Sequence, residues 1–376
     1  MNPLHELITN LCDAGKHPPR TIAAAMKQSG KPAVGLFPLF LSEELVYAAG
    51  YLPVGLWGGE DRFQLADKYL QSFACTIIRG NMELTMQGKY DFLRAILVPS
   101  QCDTLKCVCE NMKVALHAVP ILGVTIPHNR TIPAAMTQML AEFDYLQEEL
   151  AHLDKTGAKP CSLDEAFTVY EDWRAVMRDF IATAPNYLNT ITPAVRHYLI
   201  KAAWFMDKAD YTAQMRELLE ALKAQPQETF TGTKLITTGI MIDAPNVLDL
   251  FADLGIAVAD DMLCHESLQF RGESRTEGTT AEKIAGRLLD LQAASPLYEP
   301  GKPRGQLLAA LAKQHGAAAV LFCLTKFCDP EAFDQPLVKQ DLLDAGIPML
   351  SIEIDQHVDS LGQLRTRIEG FLETAI

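Results

Sequence analysis

The sequence predicts an α/β protein with two parallel-sheet domains joined by a helical segment, and three features carry that reading. Short apolar runs alternate with helical stretches over residues 31–127 and again from residue 234 onward. That alternation is the pattern of parallel strands linked by right-handed crossovers. Between the two regions, from Pro133 to about Lys223, apolar residues recur at helical spacing and no strand-like run occurs. The chain has 376 residues, more than one core of usual size holds. The expected units are an α/β domain over residues 1–132, a helical segment over 133–229 and a second α/β domain over 230–376.

Composition narrows the class of function. Hydrophobic residues make up 48% and charged residues 21%, the balance of a globular protein. A net charge of −14 argues against nucleic acid and against an anionic membrane surface as partners. No apolar run approaches the roughly 20 residues of a membrane span. Met1 to Leu11 lacks the basic-then-apolar form of a signal peptide, so a cytoplasmic location is expected. The nine cysteines are then expected to be reduced.

Taken in order, residues 1–30 read as one or two amphipathic helices broken at Pro18-Pro19. Lys31 to Phe40 is an apolar strand stopped by Pro38. Ser42 with Glu43 and Glu44 then gives an N-cap and an acidic first turn. Gly50 ends that helix, and Pro53 to Trp57 is the next strand. Cys75 precedes a helix over Ile77 to about Met86. Ala95 to Ser100 is a strand, followed by Cys102-Asp103 and a helix through Lys113. Val119 to Pro127 is another strand, ending at His128-Asn129-Arg130. In the second half, Lys234 to Ile242 is a strand, Asp243 to Leu254 a helix, and Ile256 to Asp261 a strand with two carboxylates at its exit. Helices are expected at about 281–292 and 305–314. Leu321 to Thr325 is a strand leading to Cys328, with Asp329 as N-cap and Pro330 at the first helical position. Ile347 to Ile354 is the last strand, and a helix runs from about Leu361.

The chemistry concentrates on three cysteines. Cys75, Cys102 and Cys328 each stand at a predicted helix start, and the last two stand at strand exits. Open α/β sheets place ligands there, and the positive end of a helix favours a thiolate. Three thiolates with one open position suit an iron–sulfur cluster or a catalytic zinc. Three unrelated buried cysteines are the competing reading. Cys12, Cys161, Cys264 and Cys323 read as small buried hydrophobes. Cys109 shares a helix face with Cys102 and could approach the site; Cys107 is less suited to do so. No Gly-x-Gly-x-x-Gly or Walker A sequence supports a nucleotide site of those types. Asp260-Asp261 suits a strand-exit turn held by hydrogen bonds better than a catalytic base. Arg130 suits a solvated strand exit better than a phosphate site.

Several segments together resemble the smaller β subunit of the 2-hydroxyacyl-CoA dehydratases, the 2-hydroxyglutaryl-CoA dehydratase D-component family. They are Glu43-Glu44-Leu45-Val46-Tyr47-Ala48-Ala49-Gly50-Tyr51-Leu52-Pro53-Val54-Gly55, Ser72-Phe73-Ala74-Cys75, Cys102-Asp103-Thr104, Ala259-Asp260-Asp261, Lys326-Phe327-Cys328-Asp329-Pro330-Glu331 and Ile354-Asp355-Gln356. The resemblance spans roughly Lys31 to Glu369. It implies two Rossmann-like domains and a 4Fe-4S cluster held by Cys75, Cys102 and Cys328. Many relatives have a cysteine where this chain has Leu36, which fits three protein ligands and a non-protein fourth.

The resemblance further implies a heterodimer with an α subunit and an ATP-dependent iron–sulfur activator that injects one electron. In such enzymes a ketyl radical of the acyl-CoA expels the 2-hydroxyl as water, and a 2-enoyl-CoA forms. The 2-hydroxyacyl-CoA is then bound mainly by the partner, and the cluster of this chain relays or holds the electron. Phe73, Phe327 and Leu105 are expected to limit water access to it. A flavin is compatible with such an enzyme but has no support in the residues. A benzoyl-CoA-reductase-like reductase subunit, a non-catalytic electron-carrier or assembly subunit, and a zinc-dependent lyase are the alternative readings.

Overall fold

The computed structural model describes residues 3–59, 62–358 and 360–375. Helices α1 (Pro3–Lys16) and α2 (Pro18–Ser29) meet at His17, with prolines opening the second helix and Gly30 ending it in the left-handed conformation. The first sheet follows as β1 (Ala33–Leu36), α3 (Glu43–Ala48), β2 (Leu52–Gly55), α4 (Thr76–Met86), β3 (Ile96–Pro99), α5 (Asp103–Ala115) and β4 (Ile121–Val124). Its four strands are parallel in the order β2-β1-β3-β4, with Ala33 opposite Leu52 and Ile96 opposite Ile121. They are apolar runs because helices cover both faces and leave no polar side. The Lys31–Phe40 stretch makes a shorter strand than its apolar length suggests, since Pro38 lies beyond the last ladder residue.

Four helices follow: α6 (Ala134–His152), α7 (Leu163–Thr183), α8 (Pro193–Ala202) and α9 (Lys208–Lys223). Helix α7 begins with a reciprocal capping box between Ser162 and Glu165. The second sheet is then built from β5 (Thr233–Gly239), α10 (Pro245–Asp253), β6 (Ile256–Leu263), α11 (Leu268–Arg271), α12 (Thr280–Leu289), α13 (Arg304–His315), β7 (Ala319–Thr325), α14 (Asp329–Asp344), β8 (Met349–Ile354) and α15 (Leu361–Ala375). It is again parallel, in the order β6-β5-β7-β8. Gly239 ends β5 at φ 147°, where a Cβ would lie 2.2 Å from the Cys323 carbonyl oxygen. Among the described residues no helix is long and apolar enough to cross a membrane.

Both sheets share one apolar core, which contains Val34, Leu97, Ile236 and Phe322 together. Buried charges fix how the pieces meet. Glu44, in the first turn of α3, receives Arg174 of α7 and, at 2.9 Å, Arg287 of α12. Glu43 receives Lys208 of α9 at 3.0 Å and the Tyr170 hydroxyl at 3.1 Å. The acidic first turn is thus a buried ion-pair centre. Ser42 does not cap the helix but donates to Glu44 at 3.3 Å.

Two further expectations are corrected. Asp260 and Asp261 lie inside β6, which runs on to Leu263, and both are buried. Arg196 of α8 binds Asp261 at 2.5 Å and Asp260 at 3.3 Å, and Arg271 also binds Asp260. Asp261 does hold the turn beyond the strand, accepting from the Leu263 amide at 2.9 Å and the Ser267 amide at 3.2 Å. Arg130 is neither solvated nor free for a phosphate. It is buried and donates to backbone carbonyls of the second half, at 3.0 Å to Leu289, 3.3 Å to Tyr298, and to Leu291.

Candidate functional site: a three-cysteine pocket between the sheets

In each sheet the second strand in sequence lies on one side of the first and the third strand on the other. The switch points therefore fall between β1 and β3, and between β5 and β7. Ligands of open parallel sheets collect in the crevice beyond such points. Here the two crevices merge. Phe37, Pro38 and Leu39 arrive from the end of β1, Cys102 from β3, Ile240 from β5, His265 from β6, and Thr325 and Cys328 from β7. Together with Cys75 they line a small, partly open chamber of about 40 Å³, whose other walls are apolar. The same three cysteines also line an outer cleft of about 380 Å³, with His128, Tyr298, Phe327 and Phe333 at its walls.

Each cysteine is an N-cap. Cys75 precedes α4, Cys102 precedes α5, and Cys328 precedes α14. Cys328 itself occupies the capping position expected for Asp329, which becomes the first helical residue. An N-cap side chain faces the free amides of the first turn. The Cys102 sulfur accepts from the Leu105 amide at 3.4 Å. Cys75 and Cys328 make no such cap hydrogen bond, but the nearby amides of Ile78 and Ile77 favour the charged form of Cys75, and that of Glu331 the charged form of Cys328. Three sulfurs, each at the N-terminal end of a helix, thus line one cavity.

The electrostatics correct the expectation of low thiol pKa values. Burial pushes Cys75 up to about 12, and Cys102 and Asp355 push in the same direction against the amides of Ile78 and Ile77. Burial also raises Cys102 and, more strongly, Cys328. Desolvation of a thiolate outweighs the partial charge of a helix terminus. Cys75 and Cys102 both raise Cys328, so the three sulfurs lie within electrostatic reach of one another.

The supports of the site come from both halves. Glu331, fully buried in the first turn of α14, binds Arg304 of α13 at 3.1 Å and also holds the Ser295 hydroxyl at 2.5 Å. Arg304 continues to the Thr238 hydroxyl of β5 at 2.7 Å. Asp355, beyond β8, accepts from the Thr76 hydroxyl at 2.8 Å and so holds the start of the Cys75 helix. Gln356 accepts from the Gly59 amide at 3.0 Å and donates to the Trp57 carbonyl at 2.9 Å. Phe327 takes φ 61°, a conformation costly for a bulky side chain, immediately before Cys328.

Other sequence-based expectations fall differently. Cys109 does not reach the chamber; it is buried beside Gly123 of β4. Cys107 is exposed, and Cys161 is half-buried, while Cys12, Cys264 and Cys323 are buried as expected. Leu36 is buried in β1 and does not line the chamber. Leu105 does shield the cysteines, but Phe73 is 67% exposed and Phe327 45% exposed. These two rings face outward. His265 was not signalled by any motif; only its place two residues beyond β6 marks it. Its ring is 1% exposed, and Nδ1 has no partner among the described residues. Burial, with Asp243 opposing and Lys201 assisting, lowers its pKa to about 3.

A crevice shared by the switch points of two parallel sheets, closed on one side and lined by thiols, defines a ligand- or cofactor-binding α/β enzyme subunit. The chain belongs to the 2-hydroxyglutaryl-CoA dehydratase D-component family, whose model it matches over residues 38–375. It is 36% identical over 362 residues to the (R)-phenyllactyl-CoA dehydratase beta subunit of Clostridium sporogenes, with 96% of each chain covered. It is 34% identical over 375 residues to lactoyl-CoA dehydratase subunit beta of Anaerotignum propionicum, covering 99% of this chain and 100% of that one. Identity to subunit beta of (R)-2-hydroxyglutaryl-CoA dehydratase from Acidaminococcus fermentans is 32% over 365 residues, covering 95% and 96%. These relatives are named as dehydratase subunits, and the chain is an enzyme subunit of the hydro-lyase class.

Proposed function

We propose that this chain is the β subunit of a 2-hydroxyacyl-CoA dehydratase, converting an (R)-2-hydroxyacyl-CoA to the 2-enoyl-CoA together with an α subunit. We assign Cys75, Cys102 and Cys328 to a 4Fe-4S cluster. The carrying observation is the convergence of three N-cap thiols on one apolar chamber in a chain of this family.

The donor set fits such a group. Three thiols at three helix N-termini present sulfur donors near first-turn amides, and one of them, Cys102, already accepts from the Leu105 amide. Burial holds them above the ordinary thiol range, so a cationic centre among them is what makes thiolates of them. Among the described residues no three His, Cys, Asp or Glu side chains gather around a point suited to one metal ion. A cluster presents several irons to its ligands and needs no such gathering.

When bound, the cluster supplies one-electron chemistry. The residues of this chain hold and shield it. Leu105, Ile77, Ile78 and Ile240 exclude water, and the amides of the first turns stabilise negative charge at the sulfurs. Glu331 with Arg304, and Asp355 with Thr76, fix the helix starts that aim the thiols. Phe327, Phe333 and Tyr298 are exposed apolar surface around the outer cleft. We assign this face to the α subunit, which carries most of the substrate contacts, with an ATP-dependent activator as transient electron donor.

The test is anaerobic co-expression with an α-type partner, followed by iron and acid-labile sulfide analysis and a panel of 2-hydroxyacyl-CoA thioesters assayed with activator and ATP. Bound iron and sulfide in this chain, with water elimination from at least one thioester, is the expected result. A heterodimer that dehydrates normally while this chain lacks iron would falsify the cluster assignment.

A further inference from the structure

We propose that a pocket at the edge of the second sheet binds a phosphate-class oxyanion, apart from the cysteine chamber and independently of the cluster reading. Strand β6 is an edge strand of that sheet, and α7, α11 and α13 border a cavity of about 230 Å³ beside it. Its polar lining is Arg178, Asp260, Arg271, Gln314 and His315, and none of its residues lines the chamber. Three basic side chains from three helices thus meet at one opening, on a chain whose net charge is −14.

Cations at a helix C-terminus are ordinary, which accounts for Arg271 at the end of α11 and His315 at the end of α13. It does not account for Arg178. That residue lies inside α7, and its neighbours three and four positions away are Arg174, Ala175, Ile181 and Ala182, none of them acidic. Among the described residues its hydrogen bond goes to the Phe270 carbonyl at 3.1 Å, and no carboxylate pairs with it. Phe270 precedes Arg271, so this bond ties one guanidinium to the backbone beside the other.

Asp260 is the carboxylate on the cavity wall, and it is already engaged. Arg196 meets it at 3.3 Å, Arg271 binds it, and the Asp261 amide donates to it at 2.8 Å. Arg196 lies behind it, also binds Asp261, and keeps Nε and Nη1 unpaired among the described residues. Arg178, Arg196 and Arg271 against Asp260 and Asp261 leave one positive charge (3 − 2) before His315 is counted. The His315 side chain is 10% exposed; its Nε2 makes no hydrogen bond among the described residues and meets Asp260 Oδ2 only at 3.4 Å. Buried polar nitrogens are ordinarily paired, and a guanidinium without a counter-ion is the donor that phosphate oxygens match. A tetrahedral oxyanion accepts from several directions at once, as donors from α7, α11 and α13 require. The same chemistry is offered by free phosphate and by the phosphate groups of a coenzyme A thioester.

The test is titration calorimetry of the anaerobically purified heterodimer with inorganic phosphate and, separately, with coenzyme A, at constant ionic strength set by chloride. Wild type should bind phosphate saturably. Arg178→Gln should weaken that binding about tenfold, the cost of losing one charged hydrogen-bonding group, with iron content unchanged. His315→Ala is the second variant and should weaken it in the same direction. Lys313→Gln removes the same charge from an exposed position outside the cavity and should leave the affinity unchanged. Coenzyme A that competes with phosphate and shows the same loss in Arg178→Gln makes the coenzyme the occupant; coenzyme A that does not compete makes it free phosphate. No saturable phosphate binding by wild type, binding that Arg178→Gln leaves unchanged, or equal weakening by Arg178→Gln and Lys313→Gln overturns the assignment.

Discussion

Replacing Glu44 by Gln tests whether the two halves are clamped by charge. Glu44 is fully buried between Arg174 and Arg287, one from the central helices and one from α12. Burial alone would raise its pKa, but the two guanidinium groups outweigh it and hold the carboxyl at about 2 instead of the usual 4.5. At about 1.36 kcal/mol per pKa unit, that difference contributes about 3 kcal/mol at neutral pH. Breaking a buried pair by removing one partner costs about 3–5 kcal/mol, which agrees. For 376 residues, at about 2.1 cal/mol/K per residue, a loss of 3 kcal/mol lowers Tm by roughly 4 °C. The sign with pH follows from the depressed pKa. The contribution is complete above about 4.5 and is lost as pH falls toward about 2. Thermal melts of wild type and Glu44→Gln should therefore differ by a constant amount from pH 7 to about 5. The gap should narrow below that. A variant melting within 1 °C of wild type at pH 7 refutes the clamp, and so does a gap that widens on acidification.

Cys75→Ser, Cys102→Ser and Cys328→Ser should each lose iron and at least tenfold in dehydratase activity, while Cys107→Ser, at an exposed position, should keep full iron content by colorimetric analysis. Glu331→Ala removes the closest carboxylate of buried Arg304, leaving it Thr238 and the more distant Asp334, and should cost about 3 kcal/mol by urea unfolding. It should also speed iron loss to a chelator, because the Cys328 helix start is then less firmly held. Phe333→Asp, at a side chain 81% exposed, should weaken association with the α subunit at least tenfold in titration calorimetry and leave the Tm of this chain unchanged. Unchanged affinity would move the partner-binding face away from the outer cleft.

The strands were legible because parallel strands covered on both faces are simple apolar runs, as Ile96–Pro99 and Ala319–Thr325 are. The three cysteines were legible because each sits where a strand or loop gives way to a helix, a local property of the chain. What escaped is set by partners far away in sequence. Glu44 looked like a helix-start charge because Arg174 and Arg287 lie 130 and 243 residues away. Asp260 and Asp261 looked like a strand exit because paired carboxylates interrupt an apolar run; Arg196 makes their burial possible. Arg130 looked solvated because its acceptors are backbone carbonyls, which no side-chain pattern reports. The thiol pKa direction was misjudged for a related reason. Helix position is local, but desolvation depends on the whole chamber.

The three sulfurs are divided unequally between the sheets. Cys75 and Cys102 belong to the first and Cys328 to the second, and Cys102 and Cys328 are 226 residues apart (328 − 102). Any group bound by all three is therefore a crosslink as well as a cofactor. Closing a loop of that length restricts the unfolded chain as a disulfide would, with an entropic benefit of about 5 kcal/mol. Assembly order follows from this. The first sheet can fold and offer two donors, but the third donor exists only after the last third of the chain has docked. Loading of such a group would act as a checkpoint on completed folding, and its loss should loosen the seam between the halves before either sheet melts. Hydrogen exchange should show that sequence, with the first-turn amides of α5 and α14 losing protection ahead of those in β3 and β7.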